Sequence, residues 1–280
     1  MLKYNVMADS VKKVLFVNSE MVPYLPESPV GNLCRQLPQG IQERKKEIRA
    51  FMPKYGCINE RKNQLHEVIR LSGMNIIISD VDRPLVIKVA SISAARIQVY
   101  FIDNEDYFRR KQIFRDDDGS FFADNGERAI FYARGVLETV KKLRWAPDII
   151  HCSGWISHVL PLYLKKAYKE DPIFTNAKVV LSLFEDTPSE TFAPGLDSAI
   201  LFGGIKPKDI GLSSAPTGTE LAKLAAQYSD GIILGSDEIN PELAAHVKGL
   251  GVPVLDFDKE MYSSDLYADK YNAFYDEILK

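Results

Sequence analysis

The sequence predicts an α/β fold: a single Rossmann-like domain with a mostly parallel sheet and an inserted antiparallel hairpin region. Three observations lead there. Short apolar runs alternate with amphipathic stretches along most of the 280 residues, the pattern of strands joined by helices. Between Met74 and Asp103 this alternation gives way to closely spaced extended segments, MNIIIS, PLVIKVAS and RIQVYFID, which suit a hairpin or meander. No Pro/Gly/Ser linker, internal repeat or low-complexity tract divides the chain, so residues 1–280 read as one domain.

Taken in order, the first strand is expected at Lys13–Val17, followed by a turn and a helix start before Leu33. A second strand follows at Glu47–Met52. Turns at Asp80–Pro84 and Ser93–Ala95 separate the extended segments of the insertion. A helix over Gly126–Lys142 puts Ile130, Ala133, Leu137 and Val140 on one apolar face, and Asp124 with Glu127 has the form of a capping box. Further strands are expected at Asp148–His151, Lys178–Phe184, Gly231–Gly235 and Val252–Asp256. A second box, Thr217 with Glu220, opens a helix carrying Leu221, Leu224, Ala225 and Tyr228. The last segment, Ser264–Leu279, places Leu266, Tyr267, Tyr271, Phe274 and Ile278 at helical spacing.

Composition narrows the function classes. With 46% hydrophobic and 26% charged residues the chain is neither a disordered nor a fibrous protein. A net charge of −3 supplies no electrostatic reason to expect nucleic acid or an anionic membrane as partner. Cys34, Cys57 and Cys152 are widely spaced and form no CxxC pair, which reads as buried free thiols in a reducing compartment. The opening MLKYNVMADSVKK lacks an apolar run long enough for a signal peptide, so the expected location is cytoplasmic. No metal site or cofactor is expected. His151 and His158 have no carboxylate or thiol at ligand spacing, and Asp116-Asp117-Asp118-Gly119 lacks the alternating ligands of a calcium loop.

The most informative stretch is Val14 to Leu33, VLFVNSEMVPYLPESPVGNL, where a glycine-rich phosphate loop would normally lie. It resembles the opening of bacterial glycogen synthases and plant starch synthases, in which a strand ending in Ser-Glu and a Pro precede Lys-Thr-Gly-Gly. Ser19, Glu20, Met21 and Pro23 stand as in that family, but the next four positions are Pro26, Glu27, Ser28 and Pro29. Glycines let a backbone approach a diphosphate and lend it N–H donors at a helix N-terminus, whereas Pro26 and Pro29 have no N–H to lend. Glu27 adds a carboxylate where the resemblance puts a nucleotide sugar. One charge–charge contact at ~4 Å and an effective dielectric of ~20 is worth about 4 kcal/mol before screening. The loop is unsuited to that donor.

The resemblance extends over most of the chain. Leu37-Pro38 and Phe51-Met52-Pro53-Lys54-Tyr55 look like the family's Leu-Pro and Met-Pro-Arg-Tyr. Asp124-Asn125-Gly126-Glu127-Arg128 looks like Asp-Asn-x-x-Arg-Phe. Asp148 through Trp155, with Pro161-Leu162-Tyr163-Leu164, is similar to Asp-Val-Val-His-x-His-Asp-Trp-His and its trailing Pro-x-Tyr-Leu. Tyr262, Ser263, Lys270 and Asn272 look like the pattern that leads into the family's second domain. The resemblance implies the N-terminal half of a two-Rossmann, ADP-glucose-dependent glycosyltransferase, with the reaction in the cleft between the halves. The expectation is that this chain stops where the second half would begin. Ser153, Gly154 and Ile156 replace the first His, the Asp and the second His of the histidine motif. Ser182-Leu183-Phe184-Glu185 stands where the family has Thr-x-His-Asn, and Asn32 replaces an Asp.

No catalytic residue is therefore assigned. The candidate substrate-binding residues are Asp124, Asn125, Arg128, His151 and Trp155, beside the altered donor loop Pro26, Glu27, Ser28 and Pro29. Local roles compete with binding at three of them: an N-cap for Asp124, packing for His151, and core for Trp155. Two functions from different classes are expected. The first is an accessory domain in storage α-glucan metabolism, catalytically degenerate on its own, binding α-glucan or a protein partner on its inter-domain face. The second is the acceptor-side half of a split ADP-glucose-dependent α-1,4-glucosyltransferase completed by a separate chain.

Overall fold

The computed structural model describes residues 11–263 and 266–280, and the strand order rests on how the chain leaves its first strand. That strand, β1 (Lys13–Asn18), carries the apolar run Val14–Val17 and lies mid-sheet, with β2 (Glu47–Pro53) parallel on one side and β7 (Ile149–Ser153) parallel on the other. Beyond β2 lies β6 (Ile97–Asp103), also parallel. Beyond β7 lie β8 (Lys178–Leu183), β9 (Gly231–Leu234) and the short β10 (Val254–Leu255), all parallel. Strands before β7 build outward on one flank of β1 and strands from β7 onward on the other. The order thus reverses between β1 and β7, and the crevice beyond their carboxyl ends is where such sheets bind ligands.

The insertion is antiparallel, as expected. β5 (Val81–Ile92) pairs with β6, β4 (Met74–Ile78) and β3 (His66–Glu67), and Ser93–Ala95 forms the expected turn. The turn expected at Asp80–Pro84 is tighter than that. Ser79 and Asp80 have φ of 49° and 60° and close the β4–β5 hairpin by themselves, so Val81 through Pro84 continue as strand.

Helices cover the sheet. Those before the crossover are α1 (Pro29–Glu43), α2 (Glu105–Phe108) and α3 (Asn125–Leu143). After it come α4 (Leu160–Lys166), α5 (Leu196–Ala199), α6 (Pro207–Ile210), α7 (Gly218–Gln227), α8 (Pro241–Lys248), α9 (Lys259–Ser263) and α10 (Tyr267–Ile278). Thr217 and Glu220 make the reciprocal capping box on α7 that their spacing predicts. The box expected at α3 does not form. Asp124 occupies the N-cap position without capping, because Arg110 claims both of its oxygens at 2.8 and 2.6 Å. Glu127 instead accepts a 2.7 Å hydrogen bond from the Tyr107 hydroxyl.

α10 lies against α1 and is tied to the loop before β2. Lys46 Nζ donates to Asn272 and Asp276, each at 2.7 Å, and Arg44 pairs with Asp269 at 2.7 Å. Tyr271, Phe274 and Ile278 are buried as their spacing predicts, but Leu266 precedes the helix and is exposed. Ser264 and Asp265 lie outside the described residues. Cys34 and Cys152 are buried; Cys57 sits in a turn after β2 and is exposed, contrary to expectation. Among the described residues no helix is long and apolar enough to cross a membrane.

Candidate functional site

The switch-point crevice begins at the end of β1. Main-chain atoms there are held by buried phenols: Tyr132 donates to the Asn18 carbonyl at 2.8 Å and Tyr55 to the Ser19 carbonyl at 3.0 Å. The chain then turns into α1, and the altered donor loop forms that helix's N-terminus. Ser28 Oγ accepts the Gly31 N–H at 2.8 Å and donates to Glu20 Oε1 at 2.7 Å, while the Asn32 N–H bonds the Ser28 carbonyl at 2.9 Å. Pro29 begins the helix, a position where its missing donor costs nothing. Of the N–H groups that a helix end usually offers an anion, Pro29 has none and that of Gly31 is thus used internally, and Glu20 takes the favourable place at the positive end of the helix dipole. Glu27 is exposed beside it.

Two further strand ends complete the crevice. After β7, Gly154 has φ of +89°, and a Cβ on it would lie 2.0 Å from Ser19 Oγ and 3.1 Å from Asp186 Oδ2. Only glycine fits there. Asp186 follows β8; its Oδ2 accepts the Trp155 N–H at 3.0 Å, and Oδ1 is sealed from solvent without a partner. Burial, with help from the nearby Glu20 and Glu185 carboxylates, pushes the Asp186 carboxyl up to about 6. Thr187 Oγ1 is likewise buried and unpartnered. Both residues line a cleft of about 420 Å³, with Phe114, Phe121 and Trp155 as its aromatic side. Phe114 and Trp155 rings meet at 4.6 Å, and Phe121 lies 5.8 Å from Trp155. The half-buried faces of Phe114 and Phe121, beside residues with unpartnered polar atoms, suit a ligand with alternating C–H and O–H faces. A second chamber, of about 350 Å³, lies between α1 and the ends of β8 and β9, bounded by Pro29, Asn32, Gln36, Phe184, Glu185 and Tyr262 among others.

The sequence-predicted residues divide around this cleft. Asn125 is buried; its Nδ2 donates to the Phe114 carbonyl at 2.9 Å and its Oδ1 accepts from Arg128 Nη1 at 2.6 Å. Arg128, 1% exposed, is ringed by Phe108, Phe122, Phe114 and Tyr55 with centroids 5.2 to 6.0 Å away, and burial holds its guanidinium down to about 10. Both stand behind the Phe114 wall and brace it. Trp155 is 2% exposed in a 3₁₀ turn, packed on Phe114 and Phe192 with one edge in the cleft. Asp124 lies outside that wall, lining a separate hollow with Ser79 and Pro194.

His151, inside the interior strand β7, is fully buried. Its Nε2 is hydrogen-bonded to Ser182 Oγ and its Nδ1 to the Tyr275 hydroxyl, each at 2.7 Å, and burial holds it down to about 3. The imidazole is a neutral bracket for α10. His158 is 1% exposed beyond the 3₁₀ turn, with neither ring nitrogen partnered. Asp116–Asp118 are exposed in the turn between Arg115 and Phe121. Asp186 and Thr187 were missed by sequence reasoning. Their one signal was position, immediately after a predicted strand at the carboxyl edge.

The reversal of strand order and the crevice beyond it define a Rossmann-like α/β domain. The chain belongs to the starch synthase catalytic domain family, whose sequence model matches residues 13–274. It is 41% identical over 172 residues to glycogen synthase of Chlorobium limicola, covering 61% of this chain and 35% of that protein. With glycogen synthase of Chlorobium phaeobacteroides it shares 35% identity over 236 residues, 81% of this chain and 48% of that one. The chain thus spans up to about half the length of these relatives. The catalytic domain of starch synthase IV from Arabidopsis thaliana, solved bound to ADP and acarbose, has the same fold: TM-score 0.67 at 16% identity over 93% of this chain and 50% of that one.

Proposed function

We propose that this domain is a glycogen/starch-synthase-like module that has given up its grip on ADP-glucose and keeps a binding role in storage α-glucan metabolism. One observation carries the reading: at the N-terminus of α1, Ser28 takes the Gly31 N–H and Glu20 takes the Ser28 hydroxyl where a diphosphate would have to bind, between two prolines and next to Glu27. Asp186 and Thr187, each with a buried oxygen that lacks a partner, line a cleft whose aromatic side suits the C–H faces of a glucan. The protein partner expected on the inter-domain face remains part of the reading, since Phe184 and Tyr262 in the chamber beside α1 offer an apolar surface to pack on.

Calorimetric titration tests this. Maltoheptaose is expected to bind and ADP-glucose to show no saturable heat; micromolar ADP-glucose binding sinks the proposal. The second reading, an acceptor-side half of a split α-1,4-glucosyltransferase, is favoured by the same chamber, which adjoins the altered donor loop at Pro29. It requires incorporation of labelled glucose into glycogen only when extract lacking its own synthase is added. A chain that binds glucan yet never supports incorporation rules it out.

A further inference from the structure

We propose that a pocket at the amino-terminal edge of the sheet, walled by Arg49, Arg70 and Lys142, binds the phosphate group of a small ligand. It lies on the amino-terminal side of the strands from the crevice, with Arg49 level with Leu15, three residues or ~10 Å before β1 ends at Asn18. The proposal is independent of the glucan reading.

β2 and β6 run parallel with Ala50 level with Val99, which brings Arg49 beside Gln98. Arg49 Nη1 donates to the Tyr100 hydroxyl at 2.7 Å, and that hydroxyl donates to Gln98 Oε1 at 2.8 Å. The guanidinium also lies 5.6 Å from the Tyr100 ring centroid and 5.2 Å from that of Trp145. Arg49 is therefore held in one orientation. Its Nε is shielded from solvent and has no acceptor, and the Gln98 amide keeps its N–H groups as donors. Arg70 reaches the pocket from the loop after β3, and Lys142 from the last turn of α3, where its ammonium also bonds the Ser72 carbonyl at 3.3 Å. Burial pushes the Tyr100 phenol up while Arg49 and Arg70 both pull it down, so two cations stand within electrostatic reach of one oxygen.

The pocket holds about 320 Å³ and its lining contains no carboxylate. Among the described residues none of the three cations is ion-paired. The acid two residues before Arg49, Glu47, accepts the Trp145 indole N–H instead. In a chain of net charge −3 such a pocket is not a by-product of general basicity. Three positive charges and a fixed guanidinium fork match a tetrahedral dianion better than a single carboxylate. The volume leaves room for a phosphate and a small polar body attached to it.

The test is calorimetric titration at constant ionic strength with inorganic phosphate and, separately, a hexose phosphate. Wild type is compared with the Arg70→Ala/Lys142→Ala variant, whose two positions are exposed and leave the fold intact. Saturable binding to wild type is expected, weakened at least about tenfold in the variant. Tighter binding of the hexose phosphate identifies an ester as the ligand, and equal binding identifies phosphate itself; either supports the site. Absence of saturable binding, or equal binding by the variant (an adventitious ion only), overturns it. An unchanged thermal midpoint of the variant without phosphate separates loss of binding from loss of fold.

Discussion

The exit of β1 and the exit of β8 meet in one crevice, and both keep buried polar atoms without partners, Asn18 Oδ1 and Nδ2 at the first and Asp186 Oδ1 and Thr187 Oγ1 at the second; they differ in how the loop that follows is tied. At the β1 exit Ser28 and Glu20 close on each other and on the helix end. At the β8 exit Asp186 Oδ1 and Thr187 Oγ1 are sealed from solvent with nothing to bond. A buried polar atom without a partner costs roughly 1–3 kcal/mol, so it persists where a ligand or water completes it. Proximity to a family's motif therefore does not by itself mark unfilled bonding capacity. His151 makes the same point: it sits on the motif, and both its nitrogens are taken.

The contrast can be broken most severely at Gly154, the hinge between the two exits. Gly154→Ala adds a Cβ at positive φ that overlaps Ser19 Oγ, and is expected to cost about 3–5 kcal/mol from strain plus crowding. Urea unfolding measures it; a loss below about 1 kcal/mol means the two exits are not tightly packed.

Titration sharpens the comparison next, because the buried histidines in and after β7 and the carboxyl after β8 respond to acid with opposite sign. His151 and His158 are held to about 3 by burial, so the unfolded chain takes up two protons below its ordinary histidine pKa of about 6.5 that the folded chain refuses. Asp186, raised to about 6, takes up one proton in the folded state that the unfolded chain refuses until about 3.9. From pH 6 toward 4 the balance is about one proton, and stability should fall by roughly 1.4 kcal/mol per pH unit. Asp186→Asn removes the opposing proton and should steepen the fall. Urea midpoints across that range decide, and a flat profile contradicts the burial of the histidines.

A smaller effect is expected in binding. Asp186→Asn and Phe121→Ala should each weaken maltoheptaose by about tenfold, while Asp124→Asn, outside the aromatic wall, should leave it nearly unchanged. The reverse ranking, read by titration, would return the site to the family motif. Smallest is Ser28→Ala, which removes a helix cap and should cost about 1 kcal/mol without creating donor binding.

Much of this protein can be read along the chain. Apolar runs such as Val14–Val17 predict buried parallel strands, because a strand covered on both faces has no polar positions to alternate. Thr217 with Glu220 predicts its cap because both partners lie within one turn. The two prolines of the donor loop report their missing N–H groups directly, since that property belongs to the residue itself. Asp124 has the same local pattern as Thr217, but Arg110 reaches it from outside the helix and outbids the backbone. Arg128 looks like a ligand until four aromatic side chains from separate segments close around it. Asp186 looks like a loop residue until β7 and β8 bring it over Gly154. Properties set by covalent structure and short-range geometry are determined by the sequence alone. Which polar atoms find partners depends on groups tens of residues apart, and only the packed tertiary structure decides that.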